Sequence, residues 1–512
     1  MSLDDLEKRF PQFPEPYWRA STTFKDFPKC TSDEKTDVCI VGAGITGITC
    51  GYLLQNDGFK VTIIDAGKIL NGTTGHTTAK ITAQHNLFYD ELIGNFGEEK
   101  AKLYYQANAD ALNFIKDLVL RENIDCDLRK QDAYVYTNSD DYVEKLKNEM
   151  KAYEKLGING ELVDNTPLPF SVKAAVVMKD QAQFHPLKYL SYLVDDFVSK
   201  GGKIYENTTA IDIEDDNETY VLTREKHKIY CSNIVVASHF PFKDTLGFYF
   251  ARLHAYRSYV LAVKTEKDIP DGMYINAEEP ARSIRFADYK GTRLALIGGE
   301  NHQTGQGICT MKHYEALEQF AKDTFGVNEI LYRWSAQDLT SLDRMPYIGK
   351  ITEKHDRVFV ATGYRKWGMT TSTFAAHLIN DIITGRENPY VELFSPSRFN
   401  VDPSLKTLIT TNADVAKHLI SGKLEFVIKT PEELENGEGS VVRVNGKRAG
   451  AYKDDNGELH IVDTTCTHLG CETEWNSGES TWDCPCHGSR YSIDGDVIEG
   501  PTKKPLKKIT LD

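Results

Sequence analysis

No apolar run in this chain reaches eighteen residues, so no segment is long enough to span a bilayer as a helix. The first residues, Met-Ser-Leu-Asp-Asp-Leu-Glu-Lys-Arg-Phe, lack the apolar core of a secretory signal, and the cytoplasm is the expected compartment. Positive charge is also in deficit. With 60 basic against 75 acidic residues the net charge is −15, which opposes unaided binding to a phosphate backbone or to anionic lipid. Nucleic acid is therefore not an expected partner. The one local basic cluster, Lys503, Lys504, Lys507 and Lys508, is broken by Pro505 and Leu506 and reads as a solvated terminal strand.

What is present is a chain of 512 residues, 40% hydrophobic, enough to bury several cores in about three domains. Asp37-Val-Cys-Ile-Val-Gly42-Ala-Gly44-Ile-Thr-Gly47 is a short apolar strand entering a Gly-x-Gly-x-x-Gly turn. A helical stretch follows to about Asn56, then an apolar strand from Val61 to Ile64 that ends in Asp65. Gly42 permits the tight turn, Gly44 lets the backbone approach a pyrophosphate, and Gly47 allows close helix packing. The helix N-terminus offers unpaired N–H groups to the anion, and Asp65, eighteen residues after Gly47, can bond the ribose hydroxyls of an adenosine. The motif predicts dinucleotide binding in an α/β fold. No second glycine fingerprint follows, so the reductant is expected to be an organic substrate, not a nicotinamide.

The unit resembles the flavoprotein superfamily that includes D-amino-acid oxidase, sarcosine oxidase and the dimethylglycine dehydrogenases, which implies FAD. The resemblance covers roughly residues 35 to 395. It is carried further by Asn71-Gly-Thr-Thr-Gly-His76-Thr-Thr, by Asp343-Arg-Met-Pro346-Tyr-Ile-Gly349, and by Gly363-Tyr-Arg-Lys-Trp-Gly368-Met-Thr-Thr before a helix. It implies that Gly363, Gly368, Met369 and Thr370 bring a helix N-terminus to the flavin's pyrimidine edge, where its positive end favours the anionic reduced ring. In the dimethylglycine and sarcosine dehydrogenases a histidine at the position of His76 is bonded covalently to FAD. The other reading is a loop histidine that only packs near the cofactor, and Gly75 stands where those relatives carry Trp.

Near the C-terminus, Cys466-Thr-His468-Leu-Gly-Cys471 and Cys484-Pro-Cys486-His487-Gly-Ser489 set two Cys-and-His pairs on tight loops. Two thiolates and two imidazoles shared by two irons make a [2Fe-2S] site of raised potential. Zinc also takes Cys and His at such spacings but leaves Cys471 and Cys486 without a role. Over roughly its last ninety residues the chain resembles the cytochrome bc-type Rieske proteins. The resemblance implies Cys466 and Cys484 on one iron, His468 and His487 on the other, and a Cys471–Cys486 disulfide clamping the two loops. Two free thiols remain the alternative in a reducing cytosol. It also implies that Ser489 and Tyr491 donate hydrogen bonds to cluster sulfurs, which puts the midpoint in the upper part of the Rieske range of about −150 to +300 mV. The cysteines at 30, 39, 50, 126, 231 and 309 lack metal spacing and read as core or inert surface thiols.

The expected organisation is an N-terminal extension (1–34), a discontinuous Rossmann-like FAD-binding domain (35–129, 166–240, 335–395) and an interleaved antiparallel-sheet substrate domain (130–165, 241–334). A linker (396–424), helical over Ala413 to Ile420, leads to a small all-β Rieske domain (425–512). Tyr256, Tyr259, Arg285 and Trp367 are the candidates to face substrate, because a planar cation clamps a carboxylate and aromatics enclose an amine. These parts together imply an FAD-dependent oxidoreductase acting on an amine or amino acid. Its electrons would pass singly through the [2Fe-2S] cluster to an external quinone or soluble carrier docking on exposed imidazole edges. The alternative is a redox sensor or electron-carrier module that turns over no metabolite.

Overall fold

A computed structural model describes residues 10–11, 14–307, 310–398, 407–408, 412, 415, 417–419 and 428–510. Cys309, and the greater part of the expected 396–424 connection with the Ala413 and Ile420 ends of its expected helix, lie outside the described residues.

The strands Val38–Val41, Val61–Ile64 and Asn233–Val236 are apolar almost throughout because both their faces are covered. They pair in parallel at the centre of a six-stranded sheet, with Val38 opposite Val61 and Ile234 opposite Cys39. Alternation then divides their side chains. Val38 and Ile40 share a core with Ile48 and Phe374 of the helices Ile45–Asn56 and Gly368–Thr384. Cys39 and Val41 face Val221 and Ile229 of a smaller four-stranded sheet. The carboxyl ends of Val38–Val41 and Asn233–Val236 therefore open side by side, where a doubly wound sheet binds its ligand.

A nine-stranded, mainly antiparallel sheet roofs that opening. In its long strand Leu253–Thr265, Val260 and Ala262 pack toward the helices of the nucleotide-binding fold, while Tyr259, Leu261 and Val263 pack on the helix Met311–Phe325. The sheet is larger than the expected substrate segments. Ala174–Gln183 pairs with Arg129–Thr137, and Val327–Ser341 runs on beyond 334, so the boundaries drawn at 165 and 334 both miss strand. Ala174-Ala-Val-Val-Met178 is buried on both faces and so carries the apolar signature of a parallel core strand, and no turn residue marks position 334.

The C-terminal module is a three-stranded sheet (Gly439–Val444, Lys447–Lys453, Leu459–Val462) beside a four-stranded one (Glu474–Asn476, Thr481–Asp483, Arg490–Tyr491, Val497–Glu499). It is seated on the end of the large sheet. Arg257, wholly buried, donates to Ser335 Oγ at 2.7 Å and to Glu499 Oε2 at 3.1 Å, and lies 4.0 Å from Asp483 Oδ2. Gln337 Nε2 donates to the Gly488 carbonyl at 3.0 Å, and Tyr314 Oη to Glu479 Oε1 at 2.6 Å. Gly488 has to be glycine: its φ is +78°, and a Cβ there would stand 2.5 Å from that of Ala255. Removing one member of a buried ion-pair network leaves the others uncompensated. Arg257→Ala is expected to lower stability by about 3 kcal/mol or more, read as a lower urea midpoint for the intact protein.

Candidate cofactor sites

Where the two sheets meet lies a cavity of about 680 Å³. At one end the chain turns at Gly44, the N-cap of Ile45–Asn56, and the Ile45 N–H is taken by Thr74 Oγ1 at 3.0 Å. Gly42 and Gly47 are structural: a Cβ would lie 2.4 Å from the Ala237 carbonyl oxygen in the first case and 1.9 Å from that of Gly42 in the second. Gly44 differs, since a Cβ there meets only the Thr74 hydroxyl, at 3.1 Å, beside the cavity. Asp65 also lines the cavity. Its carboxylate accepts from the N–H groups of Ala43 at 2.8 Å and Gly67 at 2.9 Å, and burial raises its pKa.

At the other end Trp367, Gly368 and Met369 line the wall where the helix Gly368–Thr384 begins, and Trp367 stacks on His85 at 4.8 Å. Gly363 and Thr370 are not in the lining, and Thr370 bonds Asn108 Oδ1 at 2.8 Å instead. His76 lines the cavity with Nδ1 2.9 Å from the Gly72 carbonyl oxygen. A side chain at Gly75 would press within 2.5 Å of the Leu70 carbonyl oxygen, which accounts for the lack of a tryptophan there.

The substrate-facing set is rearranged. Arg285 shares a strand face with the cavity-lining Ser283 but is covered by Trp18 of the N-terminal extension, 5.2 Å away. Its guanidinium is taken up by the carbonyls of Thr78, Ala79 and Phe286, so it does not clamp a substrate carboxylate. Tyr259 belongs to the lining, yet its ring turns into the core under Met311–Phe325 and its hydroxyl lies 2.9 Å from His302 Nε2. Tyr256 is half-buried outside the lining. Trp367 remains, joined by three residues the sequence reading passed over: Lys80, Asp338 and Lys366. Burial pushes the Asp338 carboxyl up to about 7, against the pull of Lys366 and Arg257. Burial, helped by Arg285 and Lys366, pushes Lys80 down to about 7. Lys366 sits inside the glycine-flanked motif already singled out; Lys80 and Asp338 carry no sequence signal.

In the C-terminal module Cys466 and Cys484 are buried free thiols, hydrogen-bonded to each other, and Tyr491 Oη lies 3.2 Å from Cys466 Sγ. Ser489 also reaches Cys466, while its Oγ accepts from Thr502 N at 3.2 Å. The rings of His468 and His487 stand edge to face, 5.0 Å apart. The Nδ1 atoms of both are buried without a hydrogen-bond partner. Two orphaned imidazole nitrogens beside two thiols are costly unless a metal group takes them, and the N₂S₂ donor set suits a Rieske cluster. Cys471 and Cys486 are joined in a disulfide across the loops. The imidazoles are not free at the surface. His468 Nε2 lies 2.7 Å from Asp244 Oδ2, and Phe250 sets its edge on both rings, because this face is the one docked on the large sheet.

The same cavity is lined by Glu499 to Lys503 of the C-terminal module, so the two sites share a wall. Residues 37–382, more than half of the chain, match the family FAD dependent oxidoreductase, and residues 425–510 match the Rieske [2Fe-2S] domain. The chain belongs to the FAD dependent oxidoreductases, with a Rieske domain at its end. A protein of Bacillus subtilis (strain 168) described as a Rieske 2Fe-2S iron-sulfur protein, YhfW, is 50% identical to this oxidoreductase over 98% of both chains. Gamma-glutamylputrescine oxidoreductase of Escherichia coli (strain K12) is 22% identical, covering 72% of this chain and 88% of its own. The crystal structure of glycine oxidase from Geobacillus kaustophilus superposes with a TM-score of 0.60 at 20% identity, over 72% of this chain and 100% of that one.

The oxidoreductase thus takes FAD and a [2Fe-2S] cluster, and the glycine cradle and orphaned imidazoles fit them. Among its described residues no helix is long and apolar enough to cross a membrane. A methyl group at Gly44 would project where backbone must approach a pyrophosphate. Gly44→Ala is expected to keep the far-ultraviolet circular dichroism of the parent while losing most of the bound yellow flavin, whereas Gly47→Ala is expected to lose both.

Proposed function

We propose that this oxidoreductase dehydrogenates a C–N bond of an amine or amino acid and delivers the electrons one at a time, through its Rieske cluster, to an external quinone or soluble carrier. FAD when bound supplies a two-electron hydride acceptor, and the cluster supplies a one-electron relay. The observation that carries the reading is the shared wall. Gln337 lines the cavity and also bonds the Gly488 carbonyl beside His487, so one side chain touches both environments. Cys466, Cys484, His468 and His487 are the ligands in this reading, with Ser489 and Tyr491 as partners of the sulfurs. The names glycine oxidase and gamma-glutamylputrescine oxidoreductase, borne by similar proteins, support the amine or amino-acid class.

Lys366 and Arg365, whose Nη2 has no hydrogen-bond partner, are the cations offered to a substrate carboxylate, Lys80 is only partly charged at neutral pH, and Trp367 encloses the carbon chain. An amine arrives at neutral pH as an ammonium ion and has to lose that proton before its C–H bond can be broken as hydride. A carboxylate oxygen of Asp338 takes it. Held near 7, Asp338 is a base above that pH and is protonated below it. The remaining work is positioning within the cavity. Since the imidazole face is docked, the acceptor approaches from the side of Leu469, which is half exposed next to His468.

The test is anaerobic mixing of oxidised protein with a panel of amines and amino acids, following flavin bleaching and then the Rieske electron-spin signal. Bleaching is expected to precede the signal, with a rate that falls as pH drops through about 7 as Asp338 gains its proton. Asp338→Asn is expected to slow bleaching at least tenfold above pH 7 and to abolish that acid limb. Fast turnover with oxygen while the cluster stays oxidised would overturn the route through the cluster.

A further inference from the structure

Asp244 stands in the turn that leads to Tyr249–Ala251, on the flavin-binding side of the domain interface. Its backbone carbonyl accepts from the Tyr249 N–H at 3.0 Å, which holds the turn. Its carboxylate crosses to the Rieske domain, where Oδ2 lies 2.7 Å from His468 Nε2. Both side chains are about nine-tenths buried. The other nitrogen of the same ring, Nδ1, is buried and has no partner. A ring with Nδ1 free for a metal and Nε2 against a carboxylate has one consistent tautomer: the proton is on Nε2, donated to Asp244. This is the arrangement in which an outer carboxylate orients a metal-bound imidazole and makes it more electron-rich.

We propose that Asp244 is the outer partner of the cluster ligand His468 and that, in the docked protein, it holds the midpoint potential of the cluster below the value the Rieske domain would have without it. The inference rests on the reading of His468 as a ligand.

Reduction adds one electron to the cluster, with no bond made or broken and the proton left on Nε2. The added negative charge is disfavoured by a carboxylate on the outer nitrogen of a ligand, in a site that Phe250 and the large sheet shield from water. The surrounding charges offset it only in part. Lys503, which donates to the Ile211 carbonyl, keeps its charge and attracts Asp244, whereas Lys243 is paired with Asp212, and among the described residues the ion pair Asp244 makes is the one with His468. His254 is near His487 and is held neutral by burial, with its pKa pushed down to about 4. Asp244 therefore works against Ser489 and Tyr491, which favour the reduced state from the sulfur side. Because it belongs to the partner domain, its effect exists only while the two domains are docked.

The experiment is a redox titration of the intact, cluster-loaded protein, monitored by the electron-spin signal of the reduced cluster, for the parent, Asp244→Asn, Asp244→Ala and Asp244→Glu. Asparagine keeps the size and hydrogen-bonding capacity but removes the charge. Asp244→Asn and Asp244→Ala are each expected to favour reduction about tenfold or more, an upward shift of about 59 mV for a one-electron couple, and Asp244→Glu to return toward the parent. A purely structural role would leave Asp244→Asn within twofold of the parent constant, and that result overturns the proposal. If Asp244→Ala does not fold, the asparagine and glutamate variants decide. Absence of a Rieske signal from cluster-loaded parent would overturn the ligand reading itself, which separates that failure from a failure of Asp244.

Discussion

The buried guanidinium of Arg257 is the constraint on which the two-site architecture depends. It cannot be solvated, and its partners come from both modules: Ser335 within the large sheet and Glu499 across the interface accept from its Nη atoms, while Nε, without a hydrogen-bond partner, has the Asp483 carboxylate 4.0 Å away. Arg490 meets the same two carboxylates from the Rieske side, at 3.1 Å to Asp483 and 3.5 Å to Glu499. Each charge is tolerable only because the others are present, which couples docking to the stability of both partners. With the four-stranded sheet fixed in this way, its neighbouring loop, Cys484 to Ser489, has to come down on the large sheet, and its following segment, Glu499 to Lys503, has to close the flavin cavity.

This docking changes what the Rieske domain is exposed to. In a free-standing module the imidazole edges would be the surface, whereas here Asp244 and Phe250 occupy that position. The cluster environment faces the flavin cavity, which is walled partly by the Rieske domain. Arg224, which also lines the cavity, donates to the Lys503 carbonyl at 2.7 Å, so the C-terminal segment is tied to the nucleotide-binding fold as well. The two cofactor sites are thus joined by contacts at the cavity.

Much of this was legible in the chain. The strand, glycine turn and helix from Asp37 to Asn56 form as read, because parallel core strands and the turn of a dinucleotide fold demand particular residue types at fixed offsets. The cluster loops were legible for a similar reason: short turns force Cys466 and His468, or Cys484 and His487, to the same place whatever surrounds them. The substrate side was not. Arg285 has the right chemistry and the right strand face, but Trp18, far away in sequence, covers it. Asp338 looks like one acid among many until burial beside Lys366 and Arg257 gives it a shifted titration.

What the sequence determined by itself was local: the glycine turn and the two Cys-and-His loops, and hence the fold families and the two cofactors. Those depend on spacing along the backbone, which short-range sterics convert directly into geometry. Which titratable groups face the cavity, where the sheet ends, and that a carboxylate of one domain touches a histidine of the other were decided only in three dimensions. They arise from desolvation and from charge meeting charge across hundreds of residues, and neither leaves a periodic trace in the chain.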